Sequence, residues 1–156
     1  MKHFLGCAMM AITASLCAGC ADTECTTTNT AYVHYGFYSQ ADSHISFTGS
    51  ITVTAAGTDS VLINQESGLS EMELPLRYTS ARDTFVVRYS ETMADSIYVE
   101  HDNIPHFISM DCGMGMYHHI LGVNSTHYAI DSIKLVNQEV NYDAAEHIKI
   151  YYTINN

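Results

Sequence analysis

Apolar and polar residues alternate with a period of two along most of the chain. Ile51 and Val53 alternate with Thr52 and Thr54, and Phe85, Val87 and Tyr89 with Val86 and Arg88. Ile97 and Val99 alternate with Tyr98 and Glu100, and Ile148, Ile150 and Tyr152 with Lys149, Tyr151 and Thr153. Such a period puts one face of an extended strand in a core and leaves the other wetter. Thr, Tyr, Val and Ile dominate these runs, as a pleated, half-buried surface favours. The pattern predicts strands near 31–38, 45–55, 60–64, 71–78, 84–89, 95–101, 106–110, 115–123, 126–136 and 147–154. Turn chemistry separates them, as in Ala56-Gly57-Thr58-Asp59, Glu66-Ser67-Gly68 and Asn141-Tyr142-Asp143. Pro75 and Pro105 each lack a ladder donor, which assigns them to strand ends or sheet edges. Only Asn141–Glu146 has room for a helical turn. Short strands with turn signals every few residues and no helices between them predict an all-β fold. The expected architecture is an antiparallel two-sheet sandwich, immunoglobulin-like, with a small β-barrel as the alternative.

The N-terminus departs from this pattern. Lys2 precedes an apolar run from Phe4 to Ala18, too short to span a bilayer. It reads as an export signal over residues 1–19. The run ends in Leu16-Cys17-Ala18-Gly19-Cys20, and small residues directly before a cysteine suit lipoprotein processing. Cys20 is then the acylated first residue of the mature chain; the other reading is an ordinary secretory signal with Cys20 a plain thiol. Residues 20–31 form a small, polar, lipidated tether, and 32–156 a single domain. Several acyl chains give stable attachment, so the expected partner is a membrane, held through the N-terminal lipid. The expected location is the outer membrane, facing the periplasm or the cell surface.

The whole chain has a formal net charge of −11, and the signal contains no acid, so removing Lys2 with it makes the remainder more acidic still. That excess excludes nucleic acid as a partner, because phosphate backbones are bound by clustered Lys and Arg. Of five cysteines, Cys7 and Cys17 leave with the signal and Cys20 takes the lipid. Cys25 and Cys112 remain, an even number in an oxidising compartment. A disulfide between them closes a loop of 87 residues, worth about 4–5 kcal/mol as an upper value. Two free thiols are the alternative.

Asp-Ser followed by Val or Ile occurs at Asp59-Ser60-Val61, Asp95-Ser96-Ile97 and Asp131-Ser132-Ile133. A turn residue opening a strand explains each copy. The same three-residue pattern resembles the O-glycosylation acceptor of Bacteroides-type secreted proteins, which makes Ser60, Ser96 and Ser132 candidate glycan sites. Met110, Cys112, Met114, Met116 and His118 would share one face of a continuous strand, a soft donor set suited to copper(I). Gly113 and Gly115 break that register, and methionines on one face read as core filling. His101, Asp102 and His106 fall in an expected loop as solvated groups. No metal site, cofactor or catalytic constellation is assigned, and the chain is read as a non-enzyme. Eleven tyrosines and no tryptophan remain. Tyr32, Tyr35 and Tyr38 fall in the first strand, and Tyr151 and Tyr152 in the last. An exposed subset of tyrosines could stack on sugars or anchor a partner.

The lipobox, the aromatic strand Val33-His34-Tyr35-Gly36-Phe37-Tyr38, the step Met110-Asp111-Cys112-Gly113 and the endings Asp131-Ser132-Ile133 and Ile148-Lys149-Ile150-Tyr151 occur in an order that resembles a family of small Bacteroides-type outer-membrane lipoproteins of unknown function. The resemblance implies no activity or substrate, but it implies a role accessory to an outer-membrane β-barrel. The expectation is a lipid-anchored envelope protein with a non-catalytic binding or structural role and an envelope protein as partner. A carbohydrate- or small-ligand-binding lipoprotein using surface tyrosines is the alternative.

Overall fold

The computed structural model describes residues 30–58, 60–110 and 112–153. The expected signal segment 1–19, Cys20, Cys25 and nearly all of the tether 20–31 lie outside the described residues. Ten strands form: β1 (Tyr32–Ser39), β2 (Ser50–Ala55), β3 (Val61–Ser67), β4 (Glu71–Pro75), β5 (Arg82–Arg88), β6 (Ala94–Ser109), β7 (Gly113–Ser125), β8 (Ile130–Leu135), β9 (Glu139–Val140) and β10 (Ile148–Tyr152). No described residue is helical, and Asn141–Glu146 passes through bends.

The strands make two sheets, ordered β4-β1-β10-β8 and β3-β2-β5-β6-β7-β9. This is the expected two-sheet, all-β sandwich. Every pairing is antiparallel except β1 with β10, which run parallel with Tyr35 opposite Ile148 and Phe37 opposite Ile150. A parallel pair needs a long crossover, and here almost the whole domain supplies it.

The inner faces follow the predicted parity. Val33, Tyr35 and Phe37 of β1 and Ile148, Ile150 and Tyr152 of β10 face Ile51, Val53, Phe85, Val87, Ile97 and Val99 from the other sheet, all of them buried. Burying each such side chain is worth about 1.5–3 kcal/mol. Polar residues take over where these inward rows run out. Along β6 the inward series is Asp95, Ile97, Val99 and His101, all buried. At about 3.3 Å per residue, Asp95 and His101 stand roughly 20 Å apart, at opposite ends of the core.

Three expected boundaries shift for physical reasons. Segments 95–101 and 106–110 fuse into β6, with Pro105 inside it. The β5 ladder ends at Glu100, so beyond it β6 has one open edge, where a residue without an N–H is tolerated. The fused part pairs only with β7 and projects as a two-stranded ribbon, with Phe107 opposite Met114. Residues 45–49 leave the strand conformation to link elements, Ile45 N–H donating to Phe37 O and Phe47 N–H to Leu69 O. Residues 126–129 form a loop built on Asp95.

Candidate functional site

Asp95 is buried and accepts a cage of hydrogen bonds. Thr126 Oγ1 and Tyr128 N donate to Oδ1 at 2.6 and 2.8 Å, and Ala129 N and Ile130 N donate to Oδ2 at 2.8 and 3.0 Å. Burial alone would raise its pKa, but these donors together outweigh burial and hold the carboxyl below its ordinary value. Three successive backbone N–H groups are thereby satisfied by one side chain, and the loop that carries them is fixed.

That loop presents Tyr128, which is 79% exposed. Beside it runs a groove of about 600 Å³ with Phe47, Met93, Tyr128, Asp131 and Tyr152 among its walls. Its floor is an aromatic cluster: Phe47 packs on Tyr89 and Tyr152 with centroids 5.4 Å apart in each case, and the Tyr89 and Tyr152 hydroxyls meet at 3.1 Å. Burial pushes both of those phenols up, so they stay protonated. The polar wall is Asp131, whose Oδ2 accepts from Gln40 Nε2 at 2.9 Å and Thr153 Oγ1 at 2.7 Å. Ser46 and Thr48 add hydroxyls on the facing side. The result is a rigid cleft with an apolar aromatic floor, a solvent-facing tyrosine at the rim and a fixed carboxylate. Its volume falls in the range of small-ligand clefts.

The opposite end of the core holds a second buried polar group. Asp83 accepts from Arg77 N at 2.8 Å and lies 3.1 Å from His101 Nε2, with an ion pair to Arg77 Nε. Burial raises Asp83, and the contacts to His101 and Arg77 more than reverse it. Asn103 donates through Nδ2 to Tyr78 O and Ser80 O, which fixes its amide, so its Oδ1 accepts from His118 Nδ1 at 2.7 Å. The rings of His101 and His118 meet edge to face at 5.2 Å. Burial, aided by the neighbouring His101, lowers the His118 pKa to about 4. His101 Nδ1 and Tyr35 Oη are buried without a hydrogen-bond partner. An Asp–His pair of this kind can orient an imidazole, but here the ring is fully buried and its partners are structural. Among the described residues, no group of three or more His, Cys, Asp or Glu is placed to hold a metal ion.

The remaining candidates distribute as follows. Ser60 and Ser132 are exposed, whereas Ser96 is half-buried in β6 between β5 and β7. Tyr35 and Tyr152 are core residues. Tyr38 and Tyr151 lie on the outer face of the four-stranded sheet. There Tyr38 Oη contacts Glu146 and His44 Nε2, and Tyr151 Oη and Lys149 Nζ donate to Asp42 Oδ1 at 2.8 and 3.0 Å. His101 is buried in β6 rather than solvated in a loop, and Asp102 and His106 are exposed on the projecting ribbon. His118 and His119 point to opposite faces, His119 meeting Glu139 at 2.6 Å. Met110 and Met114 are 89% and 56% exposed and do not fill the core, because the ribbon extends past the second sheet. Sequence reasoning missed Tyr128, Phe47, Asp95 and Asp83. Asp83 and Asp95 carried a signal, since each continues an inward apolar series by one step of the same parity.

No curated protein and no solved structure matches this chain. Residues 50–152 match a family of unknown function, DUF6452. The match begins after β1, yet β1 is a central strand of the four-stranded sheet, so the folded unit reaches further than the match. The chain belongs to the DUF6452 family of unknown function.

Proposed function

We propose that this protein is a lipid-anchored envelope protein, held at the outer membrane through Cys20, with a non-catalytic binding role, and that the Tyr128 groove takes a carbohydrate. The single observation that carries the ligand class is Tyr128: a large aromatic ring left exposed on a loop that a buried carboxylate immobilises. An aromatic face beside hydroxyls and a carboxylate suits a pyranose, which has an apolar ring face and equatorial hydroxyls. A rigid rim residue also loses little entropy on binding. The Asp83–His101 pair and the Asp95 cage both have structural duties, which supports the non-catalytic reading. The Bacteroides-type lipoprotein resemblance and the Leu16–Cys20 segment support the anchor.

The test is a glycan array followed by titration of the best ligand against Tyr128→Ala. The expected result is affinity lowered at least about tenfold, the order that losing one stacked ring produces. An array without binders, or binding untouched by Tyr128→Ala, removes the carbohydrate reading.

The Cys25–Cys112 disulfide belongs to the same proposal, supported by Cys112 not being a free thiol. Thiol counting on the non-reduced mature protein should give none. Exposure favours Ser60 and Ser132 over Ser96 as O-glycan sites, and peptide mapping of native protein reads this directly.

A further inference from the structure

The projecting β6–β7 ribbon carries a concentration of exposed apolar side chains. Ile104, Phe107, Met110 and Met114 are 42%, 55%, 89% and 56% exposed. Phe107 and Met114 are cross-strand partners on one face, Ile104 lies on the other, and Met110 sits at the turn. From Asn103 to His119 the sequence contains no Lys or Arg and a single acid, Asp111. On the other face Gly115 is buried beneath Tyr142, which also packs on Tyr117, so the bare apolar surface of the tip is Phe107, Met114 and the turn residue Met110. A fluid apolar phase can surround them.

The N-terminal segment begins at this same ribbon. Thr30 bridges in parallel to Met116 of β7. Ten residue steps separate Thr30 from Cys20, a reach of at most about 35 Å. A Cys25–Cys112 disulfide would shorten the tie between the tip and Cys20 to about 17 Å. The groove with Tyr128 lies at the Asp95 end of β6, the far end from the ribbon.

We infer that the β6–β7 tip is a membrane-contact element that seats Phe107, Met110 and Met114 in the interfacial region of the bilayer beside the lipid anchor. This rests on the proposed acylation of Cys20. The missing basic residues assign it to neutral lipid, since attraction to anionic headgroups needs Lys or Arg.

The chain has no tryptophan, so one introduced indole reports alone. Acylated mature protein carrying Phe107→Trp is reconstituted into phosphatidylcholine vesicles with brominated acyl chains, and a Tyr128→Trp version serves as the opposite-end control. Acylation is read separately by intact mass. The expected result is F107W emission shifted to the blue and quenched by about half, consistent with insertion of several ångströms, with Y128W unaffected. Acylated, vesicle-bound protein whose F107W emission stays unquenched overturns the tip contact and leaves the anchor standing. Absence of the acyl mass overturns the anchor reading instead. Quenching of both reporters equally overturns the orientation. Photo-crosslinking from position 107 to a membrane protein in native envelopes, without lipid adducts, assigns the tip to a protein partner and overturns the lipid contact.

Discussion

Asp95→Asn isolates the device that presents Tyr128. The carboxylate accepts two donors on each oxygen, three of them backbone N–H groups. Hydrogen bonds to a charged group contribute about 1.5–3 kcal/mol each. Asparagine keeps one acceptor oxygen, now neutral, for Ala129 N–H and Ile130 N–H, and turns its NH₂ toward Thr126 Oγ1, which can accept, and Tyr128 N–H, which can no longer bond. The orphaned buried N–H and the charge lost from the other bonds together cost about 3–5 kcal/mol. Water reaching the loosened loop recovers part, so a loss of about 3 kcal/mol is expected. Urea unfolding followed by far-ultraviolet circular dichroism at neutral pH measures it. A pH series adds a second readout. The folded Asp95 pKa lies below its ordinary 3.8, so its stabilisation is complete above that pH and is lost as pH falls through the depressed folded value. The gap between wild type and Asp95→Asn should therefore narrow below pH 3.8. A variant within about 0.5 kcal/mol of wild type at neutral pH, or a gap that does not narrow in acid, refutes the assignment of Asp95 as the loop's fastener.

His118 gives a pH dependence in a separate window. Its pKa is lowered from 6.5 to about 4, so the unfolded chain binds the extra proton between those values. Stability should be complete above pH 6.5 and fall by up to about 3 kcal/mol as pH drops to 4. Chemical denaturation at pH 7 and pH 4.5 tests this, and His118→Gln should flatten the difference. Gly36→Ala tests close packing on the four-stranded sheet. A Cβ there meets the Glu146 carboxylate and lies 2.8 Å from Tyr38 Cε2. A loss of about 1–3 kcal/mol in thermal or urea unfolding is expected, together with disruption of the Tyr38–Glu146 contact.

The two-sheet sandwich was legible because period-two alternation reports burial directly, and Phe85, Val87, Ile97 and Val99 all face inward as read. Boundaries failed where a residue's environment depends on another strand's length. Nothing local to Pro105 reveals that β5 has already ended, so the extended ribbon could not be read from the chain. The methionines were misplaced for the same reason: Met114 has the spacing of a core residue but no second sheet above it. Asp83, Asp95 and His101 show a different limit. They obey the inward parity, but polar side chains at such positions read as interruptions of a strand. Arg77 lies only six residues before Asp83, but in the turn after β4; His118 stands on another strand from His101, and the 126–130 loop meets Asp95 mostly through backbone N–H groups without a residue-type signature. Tyr128 was one of many tyrosines, and only its exposure separates it from Tyr35 or Tyr152.

β6 connects the two ends that matter. Asp95 opens its inward series beside the groove, His101 closes it, and the strand then runs on to Phe107 without a break. From Asp95 to Phe107 are twelve residue steps, which span roughly 40 Å at strand rise. If the Phe107 end contacts lipid, the groove faces away from the membrane by about that distance, carried on a strand that the core holds over its first half. Binding at the groove and seating of the tip then share no residue. Tyr128→Ala should weaken glycan binding at least about tenfold while leaving F107W quenching unchanged. Replacing Met110 and Met114 with Ser in the F107W protein should do the reverse, lowering the quenching and leaving glycan binding unchanged. A variant at either end that altered both readouts would mean that β6 transmits a conformational change between them, past the register shift between Glu100 and His101 that interrupts its ladder with β7.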